Sequence, residues 1–284
     1  MIAFTKRNLK VFFRDRTSVF FSLLAVFIII GLYVLFLGDV WSGSLKGLTG
    51  ARFLMDSWIM AGLLAVTSVT TTMGAFGTMI DDKAKKISKD FYSSPIKRSS
   101  LAAGYIISSY IIGVIMTLIT VVLAECYIVA NGGELMSFLT LCKVIGLILL
   151  STLTNTSLIL FIVSFFKSTN AFATASTIIG TLIGFLTGIY LPVGQLPNAV
   201  GWVVKVFPVS HSAILMRQIM MEIPLSKTFA GAPADAAETF KQFMGVTVKY
   251  GDTTASALVS IGILVLSAVV FFLLAMWNLS RKKK

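Results

Sequence analysis

Six apolar runs, each about 20 residues long, divide this chain at roughly 18–38, 58–80, 101–130, 138–166, 171–191 and 255–278. A helix of that length crosses the hydrocarbon core of a bilayer, and in lipid a spanning backbone must satisfy its own hydrogen bonds. The predicted fold class is therefore all-α, a polytopic membrane bundle. A soluble globule is excluded, since 56% hydrophobic and 13% charged residues over 284 positions leave too little polar surface to cover one. With both termini inside, the inner segments hold 16 Lys and Arg against 4 Asp and Glu, and everything else holds 8 against 8. The whole net charge of +12 then lies on one side, which the positive-inside rule assigns to the cytoplasm. The basic residues flank the spans at Lys6, Arg7, Lys10, Arg14 and Arg16, at 83–98 and at 281–284, so anionic lipid headgroups, not nucleic acid, are the expected partners. The first run stays as a span, because an amphipathic segment precedes it and no small-x-small cleavage site closes it.

That preceding segment reads as a helix lying on the inner leaflet, with Ile2, Leu9, Phe12 and Phe13 on one face and Lys6, Arg7, Lys10 and Arg14 on its neighbour. The alternative is a mere basic flank of the first span. The longest inner loop, 81–98, repeats Ala84, Ile87 and Phe91 at helical spacing amid lysines, and Pro95 should end that short helix at Ser94. Such an apolar stripe docks on the bilayer surface or on a partner protein. Within the spans, Thr67, Thr71, Gly74 and Thr78 share one face, as do Thr177, Thr181, Gly184 and Gly188. Residues 151–157 add STLTNTS, with Asn155 the most polar. Helix packing competes with a mildly polar pathway as the reason for these stripes, and for the glycines at 180, 184 and 188 packing through a GxxxG ridge is favoured. Glu125 is read as the one acid inside a span, structural or gating, with a proton relay as its rival. Cys126 and Cys142 read as two small buried hydrophobes, or as a pair at one depth of a hairpin.

Between the last two runs lie 63 outer residues, 192–254. Prolines at 192, 197 and 208 cut the first half into helical pieces near 198–207 and 210–221, too short to span and apolar enough to dip back into the leaflet as a re-entrant hairpin. The second half, 223–254, is polar and reads as an exposed lobe.

The basic N-terminal helix, the six runs, the FYSSPIKR that closes the inner loop, and above all LPVGQLPNAVGWVVKVFPVSHSAILMRQIM after the fifth run resemble the permease subunit of ATP-binding cassette (ABC) type 2 exporters. Leu196-Pro197, then Pro208 and Arg217, are the most specific part. The resemblance implies a single permease domain: residues 1–16 as a connecting helix, 82–94 as the coupling helix on an ATPase subunit, and 192–222 as outer re-entrant helices. No GxxxxGKS/T phosphate loop occurs, so ATP and Mg would sit on a separate ATPase partner and this chain would bind no cofactor of its own. HExxH and GxSxG are absent too, and His211, the only histidine, reads as an interfacial residue, which leaves no catalytic or metal site.

The expected assembly pairs two copies, or this chain with a sister permease, above two ATPases. Ala84, Ile87, Phe91 and Tyr92 would dock on the ATPase. Thr67, Thr71, Asn155, Thr177 and Thr181 would contact substrate, and Leu196, Pro197, Pro208 and Arg217 would form the outer gate. The expected substrate is amphipathic, a drug, antibiotic or peptide, moved outward across a cell membrane. A lipid-linked polysaccharide, a proton-driven carrier using Glu125, and a sensor or scaffold that moves nothing are the competing readings.

Overall fold

The computed structural model describes residues 1–43, 45, 48–93, 96–251 and 253–281. It opens with α1 (Ile2–Arg14), and Asp15 then caps α2 (Arg16–Ser22) by accepting from the backbone N–H groups of Thr17 and Ser18. Next come α3 (Leu24–Leu32), a π-helical turn at Tyr33–Leu37, and α4 (Gly38–Gly43). The core of the chain is α5 (Ala51–Ala84), followed by a short α6 (Ile87–Ser93), α7 (Arg98–Ala130), α8 (Phe138–Val163) and α9 (Thr169–Leu186). A 3₁₀ turn at Val193–Gln195 leads to α10 (Asn198–Val206), α11 (Pro208–Met220), α12 (Glu222–Thr228) and α13 (Ala234–Phe243). Two-residue strands β1 (Lys249–Tyr250) and β2 (Thr253–Thr254) pair antiparallel before the last helix, α14 (Ala257–Arg281).

The protein is an all-α polytopic membrane protein. Helices α5, α7, α8, α9 and α14 are each long and apolar enough to cross a bilayer. The first apolar run is not the single straight span expected over 18–38. It bends by 43° after Ser22, where the Ser22 hydroxyl bonds the Val19 carbonyl and Leu23 reaches back only three residues to Phe20. The pieces expected near 198–207 and 210–221 are α10 and α11, bent by 82° with Pro208 as the first residue of α11. α11 is buried throughout its first ten residues and packs on α5, α8 and α14.

Between its charged ends α5 has no single polar face and is accordingly enclosed over most of its length, by α7, α8, α9 and α11. At 34 residues it is about 51 Å long, well beyond the roughly 30 Å of hydrocarbon. Its last turn carries Asp81 and Asp82 out to the end of the bundle where both termini lie. Packing also corrects four local readings. The face that α1 buries is Phe4, Thr5, Asn8 and Phe12, while Ile2 and Phe13 are exposed. Cys126 and Cys142 are exposed and unpaired, neither buried hydrophobes nor a disulfide. The glycines at 180, 184 and 188 form no ridge: Gly180 faces open space, Gly184 lies under the Tyr190 ring, and Gly188 sits beyond the helix at φ +69. There the N–H groups of Gly188 and Ile189 bond the carbonyls of Phe185 and Gly184, a helix stop that needs a left-handed residue.

The fourth correction concerns 223–254, of which only part is an exposed lobe. Met244, Val246 and Val248 are buried, and this strap is sewn to the bundle by Trp58 Nε1 donating to the Met244 carbonyl (2.8 Å) and Gln218 Nε2 to that of Val246 (3.0 Å). The strap carries these backbone carbonyls into the bundle, and the indole and amide that reach them supply the partners a buried carbonyl needs. The helix stop expected at Ser94 and Pro95, and the last three lysines, lie outside the described residues.

Candidate functional site

At the end bearing both termini, four helices meet around one carboxylate. Arg7 of α1 forks onto Asp82 of α5, Nη1 at 2.5 Å and Nη2 at 2.9 Å, and Tyr105 of α7 donates to the same group at 2.6 Å. Asp82 is 3% exposed, so the carboxylate half of this bidentate pair is removed from water while Arg7 keeps a third of its side chain in solvent. The hydrogen bond to Asp82, more than any other contact, raises the Arg7 guanidinium above its ordinary value and keeps it charged. Asn8 adds a bond to Ser108 (3.3 Å), and Gly104 leaves room for the Phe4 ring, which a Cβ there would meet at 2.6 Å.

α6 closes this junction. The Phe91 ring meets Phe4 edge-on at 5.1 Å, and the Arg7 guanidinium lies 5.3 Å from the Phe91 centroid. Ala84 and Ile87 do not share a helix with the spacing predicted for them: Ala84 ends α5, Lys86 takes a left-handed φ of 61, and Ile87 begins α6. A non-glycine residue at such a φ breaks the helix and re-aims α6. Ala84 is exposed and Ile87 half-buried, and Tyr92 lies on α6 beside Phe91. The structure thus turns Phe91 inward, onto α1.

The residues proposed to line a pathway separate into two groups. Thr67, Thr71 and Asn155 are sealed inside one copy. Thr67 and Thr71 bond the carbonyls of Leu63 and Thr67, at 2.8 and 2.7 Å, and Asn155 Nδ2 reaches the Ser68 hydroxyl at 2.7 Å to tie α8 to α5. The rest of the STLTNTS run is buried with Asn155 except Leu153. Thr177 and Thr181 lie on the exposed face of α9. Gly74 and Thr78 also leave the core, at the open basic end of α5.

Around α11 the expected gate residues also divide. Leu196 and Pro197 are at the partly exposed start of α10, whereas Pro208 and Arg217 are buried. The Arg217 guanidinium lies 4.7 Å from the Trp58 centroid, with Gly62, Gly188 and Gly245 around it, and Nη1 donates to the Gly245 carbonyl at 3.5 Å. A Cβ on Gly62 would come within 3.0 Å of Nη2. Arg217 therefore joins α5, α11, the α9 stop and the buried strap at one point.

His211 is fully buried, not interfacial. Its Nε2 lies 2.8 Å from the Lys205 carbonyl and must donate there, so Nδ1 accepts from Ser260 at 3.0 Å, and Tyr250 donates to the same carbonyl. It pins α14 and the β1–β2 hairpin to the α10–α11 corner. Glu125 is half-buried and accepts from the Met136 N–H at 2.9 Å, bracing the α7–α8 turn. It is not the sole acid in a spanning helix: Asp56 of α5 is 1% exposed, bonded by Arg52 Nε at 3.1 Å to each oxygen. Arg52 also reaches Asp39 (2.7 Å), Tyr127 (3.0 Å) and Asn131 (3.1 Å). Starting the second apolar run at Trp58 hid this group; the i, i+4 spacing of Arg52 and Asp56 was the available signal.

A family profile described as "ABC-2 family transporter protein" matches residues 46–277, most of the chain, from before α5 to near the end of α14. No curated protein matches it. With that match lying on a bundle of spanning helices, a basic four-helix junction and no phosphate loop, the chain belongs to the ABC-2 transporter family, as its membrane-spanning permease.

Proposed function

We propose that this permease exports an amphipathic substrate, a drug, antibiotic or peptide, using ATP and Mg bound and hydrolysed by a separate ATPase subunit. The observation that carries the reading is the contrast between a packed interior and an open flank. Thr67, Thr71 and Asn155 are closed off within one copy, while α9 presents Thr177 and Thr181 to its surroundings. A route for substrate then belongs between two copies, or between this chain and a sister permease, in the cell membrane with both termini cytoplasmic. The charge asymmetry of the sequence supports that orientation.

α6 is the proposed coupling helix. Ala84, Ile87 and Tyr92 remain its candidates for contact with the ATPase, and Phe91 carries the motion inward through Phe4 and Arg7 to the α5 end. The hairpin from Leu196 and Pro197 to Pro208 and Arg217 is the proposed outer gate, and its burial on α5 supplies a link between the two.

Reconstituting the chain with its ATPase and measuring substrate accumulation tests this. Transport should require ATP and should fall on Phe91→Ala while ATPase binding persists. The proton-carrier reading predicts the reverse pattern, transport without ATP that Glu125→Gln abolishes. Glu125 bracing a turn through Met136 speaks against it. Glycan-lipid substrates are separated from drug-like ones by the same assay run with each class.

A further inference from the structure

Between α10 and α14 runs a groove of about 620 Å³ that none of the roles above employs. Trp202 and Val206 of α10 form one wall, Leu266, Val270 and Phe271 of α14 the other, and Pro208 closes the corner. No ionisable side chain lines it. At its rim stands a cation: the Lys205 ammonium lies 5.1 Å from the Trp202 centroid and has no carboxylate within ion-pair distance among the described residues. In the neighbouring hairpin Lys249 and Asp252 balance in charge, so Lys205 sets the sign of this corner.

His211 fixes the depth of the rim. Its Nε2 lies 2.8 Å from the Lys205 carbonyl and its Nδ1 3.0 Å from Ser260, which belongs to the first turn of α14. α14 is long enough to span and begins at the end of the bundle opposite both termini, so that turn lies at headgroup level. Leu266 to Phe271 follow six to eleven residues later, about 9 to 16 Å deeper along the helix. The groove therefore opens beside a lysine and a tryptophan where headgroups sit, and descends to acyl-chain depth. A second copy of this chain is the competing occupant. A two-fold interface sets the same patch on both sides, and residues 198–206 and 257–281 hold no Asp or Glu. Such an interface would cover Lys205 and offer it no carboxylate.

We propose that the groove holds a resident phospholipid with an anionic headgroup, its phosphate on the Lys205 ammonium and one acyl chain laid between α10 and α14. The long lysine stem, packed beside Trp202, lets the charge rise to the phosphate while the groove keeps the chain. A zwitterionic lipid brings its own cation to the same place and gains less. The inference concerns this chain alone and does not rest on the exporter reading.

Trp202 is the reporter, because it lines the groove and is exposed. The probes are phosphatidylglycerol and phosphatidylcholine with the same brominated acyl chains, added to the full chain in nanodiscs of unbrominated phosphatidylcholine. The signal of Trp202 is the difference in fluorescence between wild type and Trp202→Phe. Half-quenching should need about fivefold less phosphatidylglycerol than phosphatidylcholine. Lys205→Gln should abolish that preference and Lys205→Arg keep it. Val270→Phe, on the exposed side of α14, should also abolish it by filling the groove with Lys205 still present, which mere surface attraction to a lysine would not do. Equal quenching by the two lipids in wild type would mean a fluid lipid annulus only, and quenching by neither would mean that another copy covers the groove; either result overturns the proposal. A preference that survives Lys205→Gln or Val270→Phe overturns it as well.

Discussion

α5 and α9 carry the same motif, threonines four apart on one face, and they end in opposite environments. Of the most apolar 18 residues, 89% are buried in α5 and 17% in α9. In both helices each hydroxyl bonds the carbonyl four residues back, Thr67 and Thr71 at 2.8 and 2.7 Å, Thr177 and Thr181 at 3.1 and 3.0 Å. A hydroxyl satisfied by its own helix is tolerated in a core and in a lipid-facing flank alike. The motif therefore does not identify a pathway. What separates the two helices is their neighbours: α5 is walled by α7, α8, α9 and α11, whereas α9 packs mainly on α5.

The sharpest way to break this contrast is to add a Cβ to one glycine in each environment. On Gly113 of α7 it would lie 2.5 Å from the Thr72 hydroxyl of α5 and 2.8 Å from Thr152 of α8, inside the sealed core. Gly113→Val should cost about 3 kcal/mol by overpacking, seen as a lowered melting temperature of the solubilised protein. On Gly180 of α9 a Cβ meets nothing within 4 Å, and Gly180→Val should stay within about 0.5 kcal/mol. Equal losses would mean that α9 is covered in the isolated chain and that the contrast is false.

Next in size is the junction at the basic end of α5. Asp82→Ala strands the Arg7 guanidinium and the Tyr105 hydroxyl, and because Arg7 keeps a third of its surface in solvent the loss should be about 2 kcal/mol. Hydrogen exchange should then rise in α1 and α6 before it rises in α8. Smaller again is Asn155→Leu, which removes one interhelical bond to Ser68 and should cost about 1 kcal/mol.

Much of this fold was legible because length and hydropathy alone decide it. Runs of 20 apolar residues have few alternatives in lipid, and Pro208 marked the α10–α11 corner by its fixed φ. Direction within the bundle was not legible. The Phe91 ring turns onto Phe4 because Lys86 breaks the helix at φ 61, and no spacing rule announces a left-handed lysine. Arg217 was singled out as part of a sequence pattern, yet its Trp58 partner is 159 positions away, joined only by the packing of α11 on α5. The buried strap at 244–248 was read as exposed because its residues are flanked by polar ones. Its burial depends on Trp58 and Gln218 finding its carbonyls, a tertiary match that composition does not encode.

The smallest expected change in stability belongs to Thr177→Val and Thr181→Val, and it is the most discriminating. Each replacement keeps the shape of the side chain and removes a hydroxyl that bonds only its own helix, so the melting temperature should move by no more than about 0.5 kcal/mol allows. The same change at Thr67 or Thr71 is equally isosteric but lies where no substrate can arrive without opening the core. If the pathway runs along α9 between two copies, transport should change in the α9 pair and not in the α5 pair, through KM for a substrate that uses the hydroxyls. Transport that instead tracks Thr67 and Thr71 would mean that α5 is unsheathed during the cycle, and that the sealed state described here is one of two.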